Sequence, residues 1–589
     1  ERSEDMGRIW PFPALLLWLG CCSARRFGLR LNARGFGAPS ALVPVGVTNA
    51  SNVDLQRNIL IMTTASVPWL TGTAINPLLR AAYLARQRDD GAVTLFVPWV
   101  DAATQLALKF PTTFATRGDQ AAYVTRWLEE TAEMPDAARK LRVAFYDAHY
   151  HAVQGSIYSM GETVELLDGS GKFERYTHEG ILDGQMWHPD VVVLEEPEHL
   201  NWYAYRDGDR SSWRGQFPHV VGVVHTNYVR YAATERVCGG IVGEMCQPVV
   251  GPLKALAALL FAKWMCAAHC HRVIKLSGAI PKMTRRECEV VSNVHGVRSQ
   301  FLEIGDAAAA SPLRAFAAGD GSRTAGAYFI GKMIWQKGLD RLVDLLARTQ
   351  RDFGGALPSG QFHLVGDGND RQAIEKAFGK KGIDATFHGR HDHAAPLCQN
   401  YRVLVNPSLT EVLCTTIAEA LAMGKWVILA KHPSNAFFYQ FPSCLVFEDE
   451  AEFVRHYAHA MRHEPPKLDS ALRHVLTWDA ATRRFCDAAA ISLRDAPRTL
   501  GPLQRLAAFL HVRLGRGLGG DAIRSVAGAG LTVGPQAAFV KRKRRQEARD
   551  AAEKLVAQNE ASGPAEAPVE LDRLAEPLPD EIATAGLRS

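Results

Sequence analysis

From residue 58 onward, short apolar runs alternate with stretches whose apolar positions recur at helical spacing. The runs at 58–64, 92–98, 141–146, 191–194, 220–225 and 272–276 are rich in Val, Ile, Leu and Phe, as strands buried on both faces are. The stretches at 74–88, 121–131 and 253–268 read as helices between them. A second series follows, with strands expected at 326–331, 361–365, 385–388, 402–406, 426–430 and 444–447 and helices at 339–348, 370–378 and 416–423. Such alternation predicts an α/β chain of parallel sheets with helices on both faces, built as two doubly wound, Rossmann-like domains facing across a cleft. Residues 307–324 are rich in Ala, Gly and Ser and lack a period, which predicts a hinge between a first domain at 54–306 and a second at 325–535. The helix-rich stretch 451–524 either closes the second domain or returns to the first.

The ends of the chain are of another character. Between Met6 and Val53 there is no acid, and five arginines surround the apolar run Ala14 to Leu19. A basic start, a short apolar stretch and small residues at Ser23 and Ala24 predict a cleavable signal peptide, and the acid-free segment behind it a transit-like leader, together covering 1–53. Plain secretion or a membrane-anchoring helix is the alternative. At the other end, 536–589, the run Lys541-Arg542-Lys543-Arg544-Arg545 precedes a Pro- and acid-rich stretch of disordered composition. Against anionic headgroups such a run adds about 1 kcal/mol per cation; a solvated basic turn beside an acidic tail is the plainer reading. The best candidate for a membrane span, 249–268, is interrupted by Pro252, Lys254 and Lys263 and reads as an amphipathic or buried helix, so membrane contact is expected to be peripheral.

Composition narrows the class further. Of 589 residues 47% are hydrophobic and 22% charged, ordinary globular values. Net charge is +5, and residues 1–53 carry +3 of it, so the folded part lacks the basic footprint of a nucleic-acid binder. The 11 cysteines show no disulfide-framework spacing, which suggests a reducing compartment. Cys266, His269, Cys270 and His271 crowd together without a second ligand pair, and Asp207-Gly208-Asp209 sits in a charged turn; neither is expected to hold a metal.

The strongest chemical signal runs from Asn406-Pro407-Ser408 through Glu411, Cys414-Thr415-Thr416 and Glu419 to Gly424. A strand ends, a polar loop follows and a helix opens near Thr415, so that free N–H groups and the helix dipole suit a diphosphate oxygen. Glu411 precedes the helix and Glu419 lies inside it, which allows one carboxylate to reach the cleft while the other sits about a turn below. Two solvated glutamates would be the structural alternative.

This pattern resembles the paired-glutamate signature of retaining glycosyltransferases of the GT-B, two-Rossmann architecture. Ile330-Gly331-Lys332-Met333-Ile334-Trp335-Gln336-Lys337-Gly338 and Leu364-Val365-Gly366-Asp367-Gly368 are similar to two further motifs of that family. More specifically, Thr63 to Pro77, Val193 to Leu200, Val224 to Tyr228, Val294-His295-Gly296-Val297 and Lys431-His432-Pro433-Ser434-Asn435 resemble the digalactosyldiacylglycerol synthases of plants and algae, in order from about residue 57 to 490. Val412 and Cys414 stand where the wider family often has glycines, and the galactolipid synthases share that departure.

The resemblance implies transfer of α-galactose from UDP-galactose to monogalactosyldiacylglycerol with retention, at the plastid envelope, with no cofactor and no metal. It implies that Glu411 binds donor-sugar hydroxyls, Glu419 the ribose, and Lys332 and Lys337 the diphosphate. Gly72 and Thr73, at the first strand's turn, would let the backbone approach the donor's β-phosphate, and His225 would face the donor sugar. Cys414, Thr415 and Thr416 supply donor-side N–H groups. Glu195, Glu196, Glu198 and His199 are assigned to acceptor recognition, a polar loop over the sheet edge being the alternative. Also open are a related transferase with another UDP-sugar or acceptor, a soluble secreted transferase making a polysaccharide, and an inactive lipid-binding tether, although a tether has no need of the Lys332, Lys337, Glu411 and Glu419 set.

Overall fold

The computed structural model describes residues 57–69, 71–108, 110–151, 156–159, 174–202, 212–234, 240–310, 326–489 and 502–515. The leader, the Asp207-Gly208-Asp209 turn and the basic tail lie outside them.

The first sheet comprises β1 (Ile59–Met62), β2 (Val93–Trp99), β3 (Arg142–His151), β4 (Ser156–Ser159), β5 (Arg175–Tyr176), β6 (Val191–Glu195), β7 (His219–Val224), β8 (Arg272–Lys275) and β9 (Glu289–Val291). Its order is β4-β3-β2-β1-β6-β7-β8-β9, with β5 also on β3. All pairs are parallel except β3 with β4 and with β5. That antiparallel edge was not expected from the sequence; its strands are short and polar and carry no continuous apolar run. The second sheet comprises β10 (Ala327–Ile330), β11 (Phe362–Val365), β12 (Ala385–His388), β13 (Val403–Asn406), β14 (Trp426–Ala430) and β15 (Cys444–Phe447), in the order β12-β11-β10-β13-β14-β15, parallel throughout. Both sheets therefore have the doubly wound order, with the chain reversing direction between β1 and β6 and again between β10 and β13.

The helices that matter for the site are α1 (Gly72–Arg86), α2 (Pro197–Leu200), α3 (Gly240–His269), α4 (Ser299–Ala310), α5 (Leu339–Asp352), α6 (Thr415–Ala422), α7 (Glu450–Arg462), α8 (Trp478–Ala489) and α9 (Pro502–Gly515). The α5 sequence shows why such segments fold: Leu339, Leu342, Val343, Leu345 and Leu346 are buried on one stripe while Asp340, Asp344 and Arg348 face out. Strands such as Ile59-Leu60-Ile61-Met62 are buried at every position because helices cover both faces of the sheet.

Three boundaries differ from the sequence reading. The expected hinge at 307–324 begins inside α4, whose alanines at 307–310 favour helix over a flexible joint. The expected second domain at 325–535 is too long. α7 packs its buried Phe453 and Tyr457 into the second core, but Trp478, Ala481, Phe485 and Ala489 of α8 belong to the first core. α9 lies against α3, with Trp264 Nε1 donating to the Ala507 carbonyl at 2.8 Å. The return is made possible by Gly296, since a Cβ there would stand 2.5 Å from the Trp478 backbone nitrogen. Lastly, α3 is longer than expected and contains Pro252 without interruption; among the described residues its segment Gly251–His269 is the one long and apolar enough to cross a membrane.

Candidate active site

In the second sheet the switch point is shaped by close backbone approaches. Gly366 follows β11 at φ +136°, and a Cβ there would fall 2.0 Å from the Gly331 carbonyl oxygen, so the turns after β10 and β11 touch. Gly338 at φ +77° ends the single turn Trp335–Lys337, and its bare α-carbon lets that turn meet the Pro407 carbonyl. Thr410 Oγ1 donates to the Gln336 carbonyl at 2.6 Å and fastens the two loops. The consequence is that Lys337 Nζ and Glu411 Oε1 stand 2.5 Å apart.

Behind this pair is a cavity of about 130 Å³ lined by the ends of β10 and β13 and by Leu413 to Thr416. α6 opens onto it. Cys414 occupies the cap position in extended conformation; its thiol lies 3.1 Å from Thr416 Oγ1 and caps no backbone N–H of the first turn. The Ile417 N–H donates to the Cys414 carbonyl at 3.3 Å, so the N–H groups of Thr415 and Thr416 are those an anion could meet, with the positive end of the helix dipole behind them. The Cys414 thiol is pushed up to about 12 by burial and by Glu411, so it is neutral and not a nucleophile. Burial of the Lys332 ammonium, together with the nearby Lys337 and Arg390, lowers its pKa.

Glu419 lies one helical turn below. Its Oε2 accepts from His393 Nδ1 at 2.7 Å, and His393 Nε2 stands 2.6 Å from the Tyr328 hydroxyl. Since a carboxylate only accepts, Nδ1 is the donor to Glu419, and Nε2 pairs with the tyrosine hydroxyl. His393 and Arg390 were missed in the sequence; the only signal was the polar cluster Arg390-His391-Asp392-His393 directly after β12.

The first sheet brings another set together at its own switch point. Arg80 of α1 is fully buried and donates from Nε to Glu195 Oε1 at 2.7 Å and from Nη1 to the Val294 carbonyl at 2.9 Å. The other oxygen of Glu195 binds His225 Nε2. Burial alone would raise the Glu195 pKa, but Arg80 and His225 bring it down to about 2. The His295 ring lies 5.1 Å from that of His225, tilted by 39°, and burial together with the neighbouring His225, Arg80 and Arg484 holds it well below the usual imidazole range.

Glu196, in the left-handed region at φ 69°, accepts from Thr64 Oγ1 at 3.0 Å, from the Tyr228 hydroxyl at 3.3 Å and from the Thr226 hydroxyl. These contacts place the acidic run at the end of a central strand and speak against the alternative of a polar loop over the sheet edge. Glu195 and Glu196, 1% and 3% exposed, are bound to the protein itself, where they hold His225 and the strand ends.

Glu198 of α2 is also buried, and neither of its oxygens has a hydrogen-bond partner among the described residues; burial and the nearby Glu196 raise its pKa well above the ordinary value. His199 Nε2 lies 2.7 Å from Ser156 Oγ with its ring stacked 4.5 Å from Tyr158. Gly72 is exposed at the first turn of α1, where an added Cβ would meet nothing nearer than Asn76 Nδ2 at 3.6 Å, so packing within the protein does not demand glycine there. Thr73 Oγ1 lies 3.1 Å from Thr71 Oγ1, and the Thr73 carbonyl accepts from Thr63 at 2.6 Å. Cys266 and Cys270 are buried free thiols packed among apolar side chains, and among the described residues no group of three metal-binding side chains occurs.

Two doubly wound sheets, one with an anion-ready cavity at its switch point, are what a sugar transferase using a diphosphate leaving group requires. The family described as glycosyl transferases group 1 matches residues 325–463, the whole of the second sheet. That is the class to which the second sheet is similar. Digalactosyldiacylglycerol synthase 2, chloroplastic, of Glycine max is 38% identical over 441 residues, covering 74% of this chain and 84% of the relative. Digalactosyldiacylglycerol synthase 1, chloroplastic, of the same plant is 37% identical over 437 residues, covering 74% of this chain and 49% of the relative. The chain belongs to the digalactosyldiacylglycerol synthase family. It spans about half the length of the synthase 1 relatives it matches. A solved structure of Anabaena HepE in complex with UDP aligns at a TM-score of 0.44 with 13% identity, over 74% of this chain and 99% of that one.

Proposed function

We propose that this chain transfers galactose from UDP-galactose to the sugar of monogalactosyldiacylglycerol with retention, forming digalactosyldiacylglycerol, and that it does so as a peripheral protein of the plastid envelope. The observation that carries this reading is the Lys337–Glu411 pair across the switch-point cavity, in a chain of this family. The relatives are named chloroplastic, which supports the plastid.

In this reading the diphosphate of the donor meets the N–H groups at the start of α6, with Lys332 and Lys337 taking up the charge that grows as UDP departs. Preorganised donors of this kind act most strongly where water is excluded. Glu411 accepts from hydroxyls of the donor sugar, and Glu419, oriented by His393, from the ribose. The sugar becomes oxocarbenium-like, the acceptor hydroxyl attacks from the face the phosphate is leaving, and its proton passes to a departing phosphate oxygen. No protein nucleophile is needed. His225, fixed by Glu195, faces the sugar from the first sheet.

The test uses the full chain with UDP-galactose labelled at C1 and monogalactosyldiacylglycerol in mixed micelles. The expected result is an α-linked digalactosyl lipid, lost in Glu411→Ala and Lys337→Ala. Consumption of a different UDP-sugar or a soluble acceptor, with no galactolipid formed, would overturn it.

A further inference from the structure

The loop that carries Glu411 to the cavity sends its apolar side chains to different places. The second sheet has a core on each face: Phe329, Val405 and Ile428 lie in one, and Tyr328, Leu404 and Leu429, the alternate positions of the same strands, in the other. Leu409 packs against the former, and Cys414 and Ile417 at the start of α6 belong with the latter. Val412 goes to neither. It is 6% exposed and lies in the core of the first sheet, the one that holds Val294 and Trp478. Leu413 packs against both that core and the α6 face of the second sheet.

The cavity wall shows the same division. Glu411, Leu413 and Cys414 line it together with Lys337, whereas Val412 does not. Val412 therefore turns away from the donor side and is seated in the other domain. The domains approach each other again at Gly278, where an added Cβ would lie 3.7 Å from the Pro433 Cβ, so they meet at more than one place.

Glu411 is thus held from two sides. On one, Thr410 Oγ1 donates to the Gln336 carbonyl at 2.6 Å and ties the loop to the turn that carries Lys337. On the other, Val412 ties it to the domain that carries His225. A valine suits this second task, because its branched Cβ leaves χ1 stiff and the buried side chain has one well-defined seat. A glycine would have nothing to bury and would widen the range of φ and ψ open to the residue beside Glu411.

We propose that Val412 is a positioning residue for the transfer: seated in the core of the first domain, it fixes the Glu411 carboxylate relative to that domain, and with it the donor sugar relative to the acceptor hydroxyl. This deepens the proposed function and rests on its placing the donor sugar at Glu411. In that reading the nucleotide is held by Lys332, Lys337 and Glu419, all of the second domain. The anchor therefore acts on the step at the sugar and leaves the affinity for UDP alone.

The test compares Val412→Gly, Val412→Thr and Val412→Ile in the full chain. UDP affinity is read by calorimetry, and turnover of UDP-galactose with monogalactosyldiacylglycerol in mixed micelles is followed both as galactolipid formed and as UDP released. Val412→Gly should lower kcat by about 10- to 100-fold, the range that a small misplacement of reacting groups produces, while the Kd for UDP stays within about twofold of the wild type. Val412→Thr, which keeps the branched shape but puts a hydroxyl into an apolar core, should fall between the two. Val412→Ile, branched and apolar, should recover most of the rate. A purely structural role would move UDP binding and turnover together. Wild-type kcat in Val412→Gly would overturn the proposal. So would loss of UDP binding in both the Gly and the Thr variants, since the valine would then serve the fold or the nucleotide site and not the place of the sugar. If the wild type forms no galactolipid, the functional reading falls, while UDP release still judges Val412 separately.

Discussion

At the switch point of the first sheet, between β1 and β6, Arg80, Glu195 and His225 form a closed set of charged hydrogen bonds, and Thr64 reaches across to Glu196. At the matching place in the second sheet, between β10 and β13, Lys337 and Glu411 pair across a cavity of about 130 Å³, and the start of α6 is left uncapped by any side chain. The strand order is the same in both; the difference lies in what stands at the strand ends. In the first sheet Glu195 and Glu196 are already paired within the protein, and Glu195 sets the orientation of one imidazole. In the second, Lys332 and the uncapped start of α6 stand beside the Lys337–Glu411 pair at the cavity. A doubly wound sheet thus provides the crevice, and the side chains decide whether it is filled by the protein or by substrate.

The comparison can be broken most forcefully at the open site. Lys337→Ala should lower kcat by about 10²–10³-fold, as expected for removing one preorganised donor to a developing anion, with the fold intact by circular dichroism. At the closed site the largest effect is on stability. Arg80→Met leaves Glu195 buried without its main partner and should cost about 3–5 kcal/mol in urea unfolding. Trp478→Ala, removing a buried ring of α8 that caps the same core, should cost a similar amount, about 3–5 kcal/mol.

A smaller effect separates orientation from binding. His393→Ala should raise KM for the nucleotide sugar by roughly tenfold, the worth of one charged hydrogen bond, with less change in kcat. Replacement by Gln, which can still donate to Glu419, should restore part of the loss.

The last effect is one of pH. Because the folded Glu195 has its pKa depressed from 4.5 to about 2, its contribution to stability is fully present above the unfolded value and is lost as pH falls from about 4.5 toward about 2. Glu195→Gln should be less stable at neutral pH, and the difference from wild type should shrink as acid is added across that window. A constant difference would show that the carboxylate charge is not what holds His225.

Much of this was legible before the structure. The strands of the second sheet and the central strands of the first fall within a residue or two of their apolar runs, because strands buried on both faces must be continuously hydrophobic, whereas the end of β3 and the short β4, β5 and β9 carry no such run. The family resemblance singled out Lys337, Glu411 and Glu419, and the structure brings Lys337 of the turn 335–337 against Glu411 of the loop before α6, with Glu419 inside that helix. Three things were not. The role of Glu195 depends on Arg80, which is 115 positions away in sequence and can only be assigned in three dimensions. His393 sits in a polar loop with no periodicity, and its meaning arises only from Tyr328 on one side and Glu419 on the other. The return of α8 to the first core rests on Gly296 accepting a helix backbone, a contact that no local pattern announces.

The most direct test of the contrast between the two sites is calorimetric titration of UDP into the full-length wild type, Lys337→Ala, Glu419→Ala and Thr226→Ala. UDP should bind the wild type and Thr226→Ala alike, and bind Lys337→Ala and Glu419→Ala more weakly by about tenfold or more. Loss of UDP binding in Thr226→Ala, with Lys337→Ala and Glu419→Ala unaffected, would place the nucleotide at the first switch point and contradict the account.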